Sequence, residues 1–211
     1  MDNNNKFEII SLFPIPLYSG NIPNSYAYLT SILNSQEILK EGDFNNFGRR
    51  SKNTKILNIK ELKPIHDYIL NQVQIYASEA LNYDHKEYKF TQSWISEKNQ
   101  NEQHITHSHS NSIISGVFYF GEIDNKIPQI GFRLSHQTNH CYLEPRFKDN
   151  QNPFNLPIYM ETPPGKIYMF PSWLSHFVPS NPSTLSRKSL AFNIIPTDGL
   201  GDETTLNLLD F

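Results

Sequence analysis

Beyond Tyr83 the chain breaks into short runs rich in β-branched and aromatic residues, each closed off by Gly, Pro, Asn or Asp. The runs are Tyr88–Ser96, Ser112–Phe120, Gln129–Leu134, Lys166–Phe170, Trp173–Val178 and Leu185–Ile195. Strands of that length, spaced by turn residues, build sandwiches and barrels. Ahead of them, Ile59–Leu81 carries Leu62, Ile65, Ile69, Val73, Tyr76 and Ala80 at steps of three and four. That stripe marks an amphipathic helix, with Pro64 in its first turn, where proline is tolerated. Pro23–Lys40 reads as an earlier helix, Lys6–Phe13 as a strand and Gly42–Asn53 as a polar loop. Helices first and strands after give an α+β class: a jelly-roll-like barrel with the N-terminal helices packed on one face. The 211 residues suit a single domain over 1–211. Helical support would occupy roughly 20–82 and the β core roughly 86–196.

On that scaffold one set of residues carries chemistry: His107-Ser-His109, then His176, then Arg187-Lys-Ser189. Side chains alternate along an extended strand, so His107 and His109 point the same way and can grip one ion. Pro179-Ser-Asn-Pro-Ser183 is a turn-rich break between two strand-like runs. A hairpin centred near Asn181 and Pro182 would set His176 opposite Arg187, on one face, with Ser189 two residues on. A lone histidine is usually a surface or core residue. Three of them followed by an arginine and a serine favour a metal with an anion clamped beside it.

Composition narrows the partners. Net charge is −3 with the basic residues scattered, so no basic stripe points to nucleic acid. At 37% hydrophobic and 13% aromatic the chain is globular rather than disordered. The single Cys141 excludes an internal disulfide framework and suits a reducing compartment. The polar start Met1–Asn5 and the lack of any long apolar run indicate neither a leader nor a membrane span. The expected location is cytoplasmic, the host cytoplasm if the source is viral. Oligomeric state stays open, a homodimer included.

Three protein ligands leave an octahedral metal three open positions, the arrangement of non-haem Fe(II) oxygenases, where a chelating co-substrate takes two and O₂ the third. A zinc hydrolase would also use three ligands, but tetrahedrally and around one activated water. Arg187 separates the two: a guanidinium near the metal suits bidentate pairing with a carboxylate, which water activation does not need.

At these residues the chain resembles a group of 2-oxoglutarate- and Fe(II)-dependent oxygenases from bacteria and phages. The blocks are His107–Tyr119, Pro164–His176 and Arg187–Asn193, and the opening Leu12–Leu17 is also similar. The resemblance implies a double-stranded β-helix, with His107 as first iron ligand and His176 as the distal one. Arg187, with Ser189, would hold the far carboxylate of 2-oxoglutarate; Tyr119 and Asn193 would be further co-substrate contacts if alternation holds. Such enzymes couple 2-oxoglutarate decarboxylation to hydroxylation of a second substrate, which the sequence does not identify. One departure stands out. Where the wider superfamily places Asp or Glu two residues after the first histidine, this chain has His109. Glu102, Glu122 and Asp124 are poorly placed substitutes, and His104 falls on the opposite strand face from His107, so His109 is the preferred third ligand.

Two other readings compete. A cupin-like protein would use three histidines without 2-oxoglutarate, but would carry a glutamate shortly after the pair, where Asn111, Ser112, Ile113 and Ile114 stand. In a non-catalytic β-sandwich the histidines would be incidental, and Trp94, Tyr142 or Trp173 could meet a ligand. The long polar stretch Ser135–Asn155, with His136, His140 and Arg146, would be a lid, a binding loop or solvated loop.

Overall fold

A computed structural model describes residues 14–23, 28–39, 49–134 and 157–210. Two antiparallel sheets face each other. The larger has the order β1-β8-β5-β10-β3-β2, from β1 (Tyr18–Asn21), β8 (Lys166–Pro171), β5 (Ile114–Phe120), β10 (Arg187–Pro196), β3 (Tyr88–Lys98) and β2 (Arg49–Arg50). The smaller has the order β4-β9-β6-β7, from β4 (His104–His107), β9 (Ser175–Val178), β6 (Ile130–Arg133) and β7 (Ile158–Met160). This is the expected jelly roll with helices ahead of it. Six of the ten strands fall where β-branched and aromatic runs predict them. The others are short or polar: β1, β2, β4 and β7 have four residues or fewer.

The long helix α2 runs Lys63–Glu79 behind a 3₁₀ turn over Lys60–Leu62, with Pro64 in its first turn. Ile65, Ile69, Val73, Tyr76 and Ala77 are buried, while Ala80, predicted on the same stripe, is exposed. The helix ends where Asn82 turns to φ 55° and Tyr83 N–H donates to the Ala77 carbonyl. Asparagine tolerates that left-handed geometry. The buried stripe packs on the outer face of the larger sheet, against Ile95, Ile114, Phe118, Leu190, Phe192 and Ile194. Each such aliphatic side chain contributes about 1.5–3 kcal/mol on burial, which seats the helix without any side-chain cap.

Three expectations need correction. The early helix is one short turn-and-a-half, α1 (Leu29–Asn34), rather than Pro23–Lys40: Ser35 and Gln36 close it, and Ile38 bridges to Ser51 instead. The loop Gly42–Asn53 contains β2 and the bridging Ser51 at its end. Most consequentially, β9 and β10 do not form a hairpin. Buried Asn181 holds the connection: its amide nitrogen donates to the Lys98 and Leu185 carbonyls, and its backbone pairs with Asn101 and Glu102. The chain thereby crosses from the smaller sheet to the larger. The strand predicted over Lys6–Phe13 and the stretch Ser135–Asn155 lie outside the described residues.

A second, smaller core fills the gap between the sheets: Val117, Tyr119, Ile130, Phe132, Tyr168, Phe170 and Leu174. The histidines sit at one end of that gap.

Candidate metal and co-substrate site

His107 and His176 are direct partners across β4 and β9, and Phe132 on β6 pairs with His176 from the other side. His109 lies just past the end of β4, so strand alternation does not aim it. Its backbone N–H donates to the Ser172 carbonyl, which swings the residue back over the sheet. One nitrogen of each of His107, His109 and His176 lies within 4.8 Å of the others. The Nε2 atoms of His109 and His176 are 3.3 Å apart, close to the roughly 3 Å expected of neighbouring nitrogens that share one ion at about 2.1 Å.

The protonation pattern suits ligation. Nδ1 of His107 is 2.9 Å from the Ile105 carbonyl, and Nδ1 of His176 is 3.0 Å from that of Leu174. A carbonyl can only accept, so each Nδ1 carries the hydrogen and each Nε2 keeps its lone pair. Burial depresses the basicity of all three: His109 falls to about 4 and His176 to about 3, each also opposed by the neighbouring His107. His107 is lowered too, mainly by burial, against the raising effect of its Ile105 hydrogen bond. Neutral imidazoles at pH 7 are what a metal requires.

His104 corrects a further expectation. A shift in register between His104 and His107 brings the two rings into a stack at 4.1 Å rather than onto opposite faces. Burial, with His107 beside it, drives its pKa down to about 2. Phe170 backs His176 at 4.7 Å, and Trp94 lies 5.9 Å from His109.

Across the gap, the larger sheet supplies the opposite wall. Arg187 and Ser189 on β10 line the same narrow cavity as the histidines, as do Tyr119 on β5 and Trp94 and Ser96 on β3. His176 and Arg187 thus face one cavity from opposite sheets, not side by side on one. Arg187 is buried at 4% exposure; its Nε donates to the Pro128 carbonyl at 3.0 Å, and its guanidinium lies 4.9 Å from the Tyr119 ring centroid. Among the described residues, Arg187 Nη2 and the Tyr119 hydroxyl are buried with no hydrogen-bond partner. An orphaned guanidinium nitrogen beside an orphaned phenol is what a carboxylate would satisfy. Burial raises Tyr119 to about 12, against the opposing charge of Arg187, so it stays a donor. No Asp or Glu lines this cavity among the described residues.

Asn193, on the same face of β10, is set back from the cavity. Its Oδ1 accepts from Ser115 Oγ, which meets Ser172 Oγ at 2.9 Å. That buried chain braces the segment whose carbonyl holds His109. Ser96, which lines the cavity, and Lys98, which donates to it, are residues that the sequence did not single out: the predicted strand stopped at Ser96, and a lysine at a strand end ordinarily reads as a solvated cap. A larger cavity, of about 770 Å³, lies on the other side of the larger sheet near α1, lined by Phe118, Phe120 and Lys188, away from the histidines.

Residues 92–193 match the family described as "Putative 2OG-Fe(II) oxygenase". No curated protein matches the chain. Among solved structures, the non-heme alpha ketoglutarate dependent carbocyclase SnoK from nogalamycin biosynthesis aligns with a TM-score of 0.62 at 10% identity, over 93% of this chain and 88% of that one. A Pseudomonas putida prolyl-4-hydroxylase aligns at 0.59 and 12% identity, over 85% and 92%. HygX from Streptomyces hygroscopicus, solved with nickel, 2-oxoglutarate and hygromycin B bound, aligns at 0.59 and 11% identity, over 87% and 84%. At such identities the likeness is one of fold, and it is the jelly roll expected. The family match, residues 92–193, takes in all three histidines and Arg187, so it is over the candidate site that this chain is similar to the 2OG-Fe(II) oxygenases.

Proposed function

We propose that His107, His109 and His176 hold the Fe(II) of this oxygenase and that Arg187 and Ser189 hold the far carboxylate of 2-oxoglutarate. Tyr119 adds a hydroxyl donor from β5, and Asn193 contributes through the Ser115–Ser172 chain that it anchors. The observation that carries this reading is the pairing of three mutually close imidazole nitrogens with a buried, partly unsatisfied guanidinium across one cavity. When bound, the metal supplies the oxidising chemistry: 2-oxoglutarate, O₂ and a C–H substrate become succinate, CO₂ and a hydroxylated product.

The chain's own residues prepare that reaction. The Ile105 and Leu174 carbonyls fix two imidazoles in the tautomer that offers Nε2. Arg187, anchored at Nε by Pro128, presents the rest of its fork to an incoming carboxylate. Phe132, Phe170 and Ile130 line or back the site with apolar surface that excludes water. Three neutral ligands leave the ion one positive unit richer than a carboxylate-bearing set would, which strengthens its grip on an anionic chelator.

No helix among the described residues is long and apolar enough to cross a membrane. In this reading residues 1–211 work as one catalytic domain in a reducing cytoplasm, with O₂ as co-substrate and a homodimer as one open assembly state; nothing in the charge pattern favours nucleic acid.

Anaerobic titration of the metal-free protein with Fe(II) and 2-oxoglutarate tests it. A weak visible charge-transfer band should appear only with both present and vanish in Arg187→Ala. Iron binding without any band would return the site to a three-histidine protein that does not use 2-oxoglutarate.

A further inference from the structure

Among the described residues Lys98 is the other buried lysine or arginine, at 1% exposure. Burying an ammonium group is expensive unless something compensates it. Among the described residues no carboxylate lies within salt-bridge distance of Lys98 Nζ. Glu97 is 3.9 Å from Lys188, and Glu102 is engaged with Arg49 at 3.6 Å and with the Asn99 N–H at 2.7 Å. Strand register sets Lys98 directly opposite Arg187, Ser96 opposite Ser189, and Ser189 opposite Tyr119. Two cations and three hydroxyls therefore cluster on the wall that faces the histidines.

One contact defines the geometry. Lys98 Nζ donates to Ser96 Oγ at 2.8 Å. An ammonium can only donate, so the serine oxygen accepts and its own hydrogen is left to donate elsewhere. Ser96 lines the cavity, next to Ser189 and Arg187.

We propose that Lys98 is a positioning residue of the co-substrate site: it supplies a second positive charge beside Arg187 and turns the Ser96 hydroxyl hydrogen toward the carboxylate of 2-oxoglutarate. The inference rests on the reading of Arg187 given above. It accounts for the charge balance around the cavity: four neutral imidazoles and no acidic residue among those described line it, Arg187 faces them with Lys98 opposite it on the next strand, and a dianion is the missing complement. Burial pulls Lys98 down to about 7 and Arg187 pushes it the same way; a bound dianion would oppose both.

The test uses the full chain loaded with Mn(II), a redox-silent stand-in for Fe(II), and calorimetric titration with 2-oxoglutarate. Lys98→Met should weaken 2-oxoglutarate binding by about tenfold or more, the size of one charge-assisted hydrogen bond. Mn(II) affinity should stay within about twofold of wild type, and the metal-free melting temperature should not fall, because an uncompensated buried charge has been removed. Ser96→Ala, which keeps the lysine, should weaken 2-oxoglutarate by at least about threefold and decides the matter if Lys98→Met fails to fold. Unchanged 2-oxoglutarate affinity in the variants, or equal loss of Mn(II) affinity, would overturn the proposal while leaving the Arg187 reading intact. Wild-type protein that takes up Mn(II) but no 2-oxoglutarate would overturn both.

Discussion

Two backbone carbonyls, those of Ile105 and Leu174, decide which face His107 and His176 offer to an ion. Among the described residues His109 Nδ1 has no such carbonyl partner; its backbone N–H is tied to Ser172 and its Nε2 meets that of His176. It is also the residue that stands where relatives in the wider superfamily would have a carboxylate, so it is the most informative one to remove. His109→Ala should lower Fe(II) affinity by more than about 100-fold, since losing a mere outer partner of a ligand already costs about 10–100-fold. Equilibrium dialysis under anaerobic conditions reads this directly, and stoichiometric binding in the variant would eliminate the three-histidine ligand set. The residue types were legible in the sequence because imidazole, guanidinium and hydroxyl are recognisable by their chemistry. Lys98 was not, because nothing in a sequence distinguishes a solvated lysine from one that a neighbouring strand covers.

Among the elements, β5 and β10 pair in the middle of the larger sheet, and Gly116 stands directly opposite Phe192 across that pairing. A Cβ there would collide with the Phe192 ring and come within 2.9 Å of the Tyr168 carbonyl. Phe192 is fully buried beneath the helices, and the carbonyl belongs to the adjoining strand β8, so neither can yield. Gly116→Ala should therefore destabilise the fold by about 1–3 kcal/mol, the usual cost of overpacking, as a lowered urea midpoint with unchanged slope. The strands themselves could be read from apolar runs, because their side chains are buried in place: β5 is buried at every position. Their partnering could not. The turn-like Pro179–Ser183 is compatible with a hairpin, and only the buried Asn181, bonded to Lys98 and Leu185, shows that the chain changes sheets. The histidine and the arginine line one cavity, but from two sheets rather than side by side in a hairpin. Likewise β4 is invisible in a polar sequence, and its register shift is what moves His104 onto the ring of His107.

For the molecule as a whole, the site is a burden on the empty fold. His104, His107, His109 and His176 all have lowered pKa values, chiefly through burial. Below the ordinary histidine value of about 6.5 the unfolded chain takes up protons that the folded chain refuses. The histidine contribution to the stability of the metal-free protein should thus be full above that pH and drop as pH falls from about 6.5 toward 4. Lys98, lowered to about 7, adds a slope of the same sign, with stability rising from about pH 7 toward 10.5. Thermal melts of metal-free protein between pH 5 and 9 should show a monotonic rise; a maximum near pH 6 would contradict these burials. The layered architecture was legible from helices preceding strands, whereas the juxtaposition of the two walls depended on long-range pairing that no local pattern encodes. That juxtaposition has its own consequence. The imidazoles hang from a sheet whose strands have only three or four residues, while the guanidinium and the ammonium belong to the broad sheet buttressed by α2. If the proposed ion and its dianionic chelator lie between them, they would rivet the flimsy half of the sandwich to the sturdy one, and withdrawing the iron would loosen the two walls as well as empty the site.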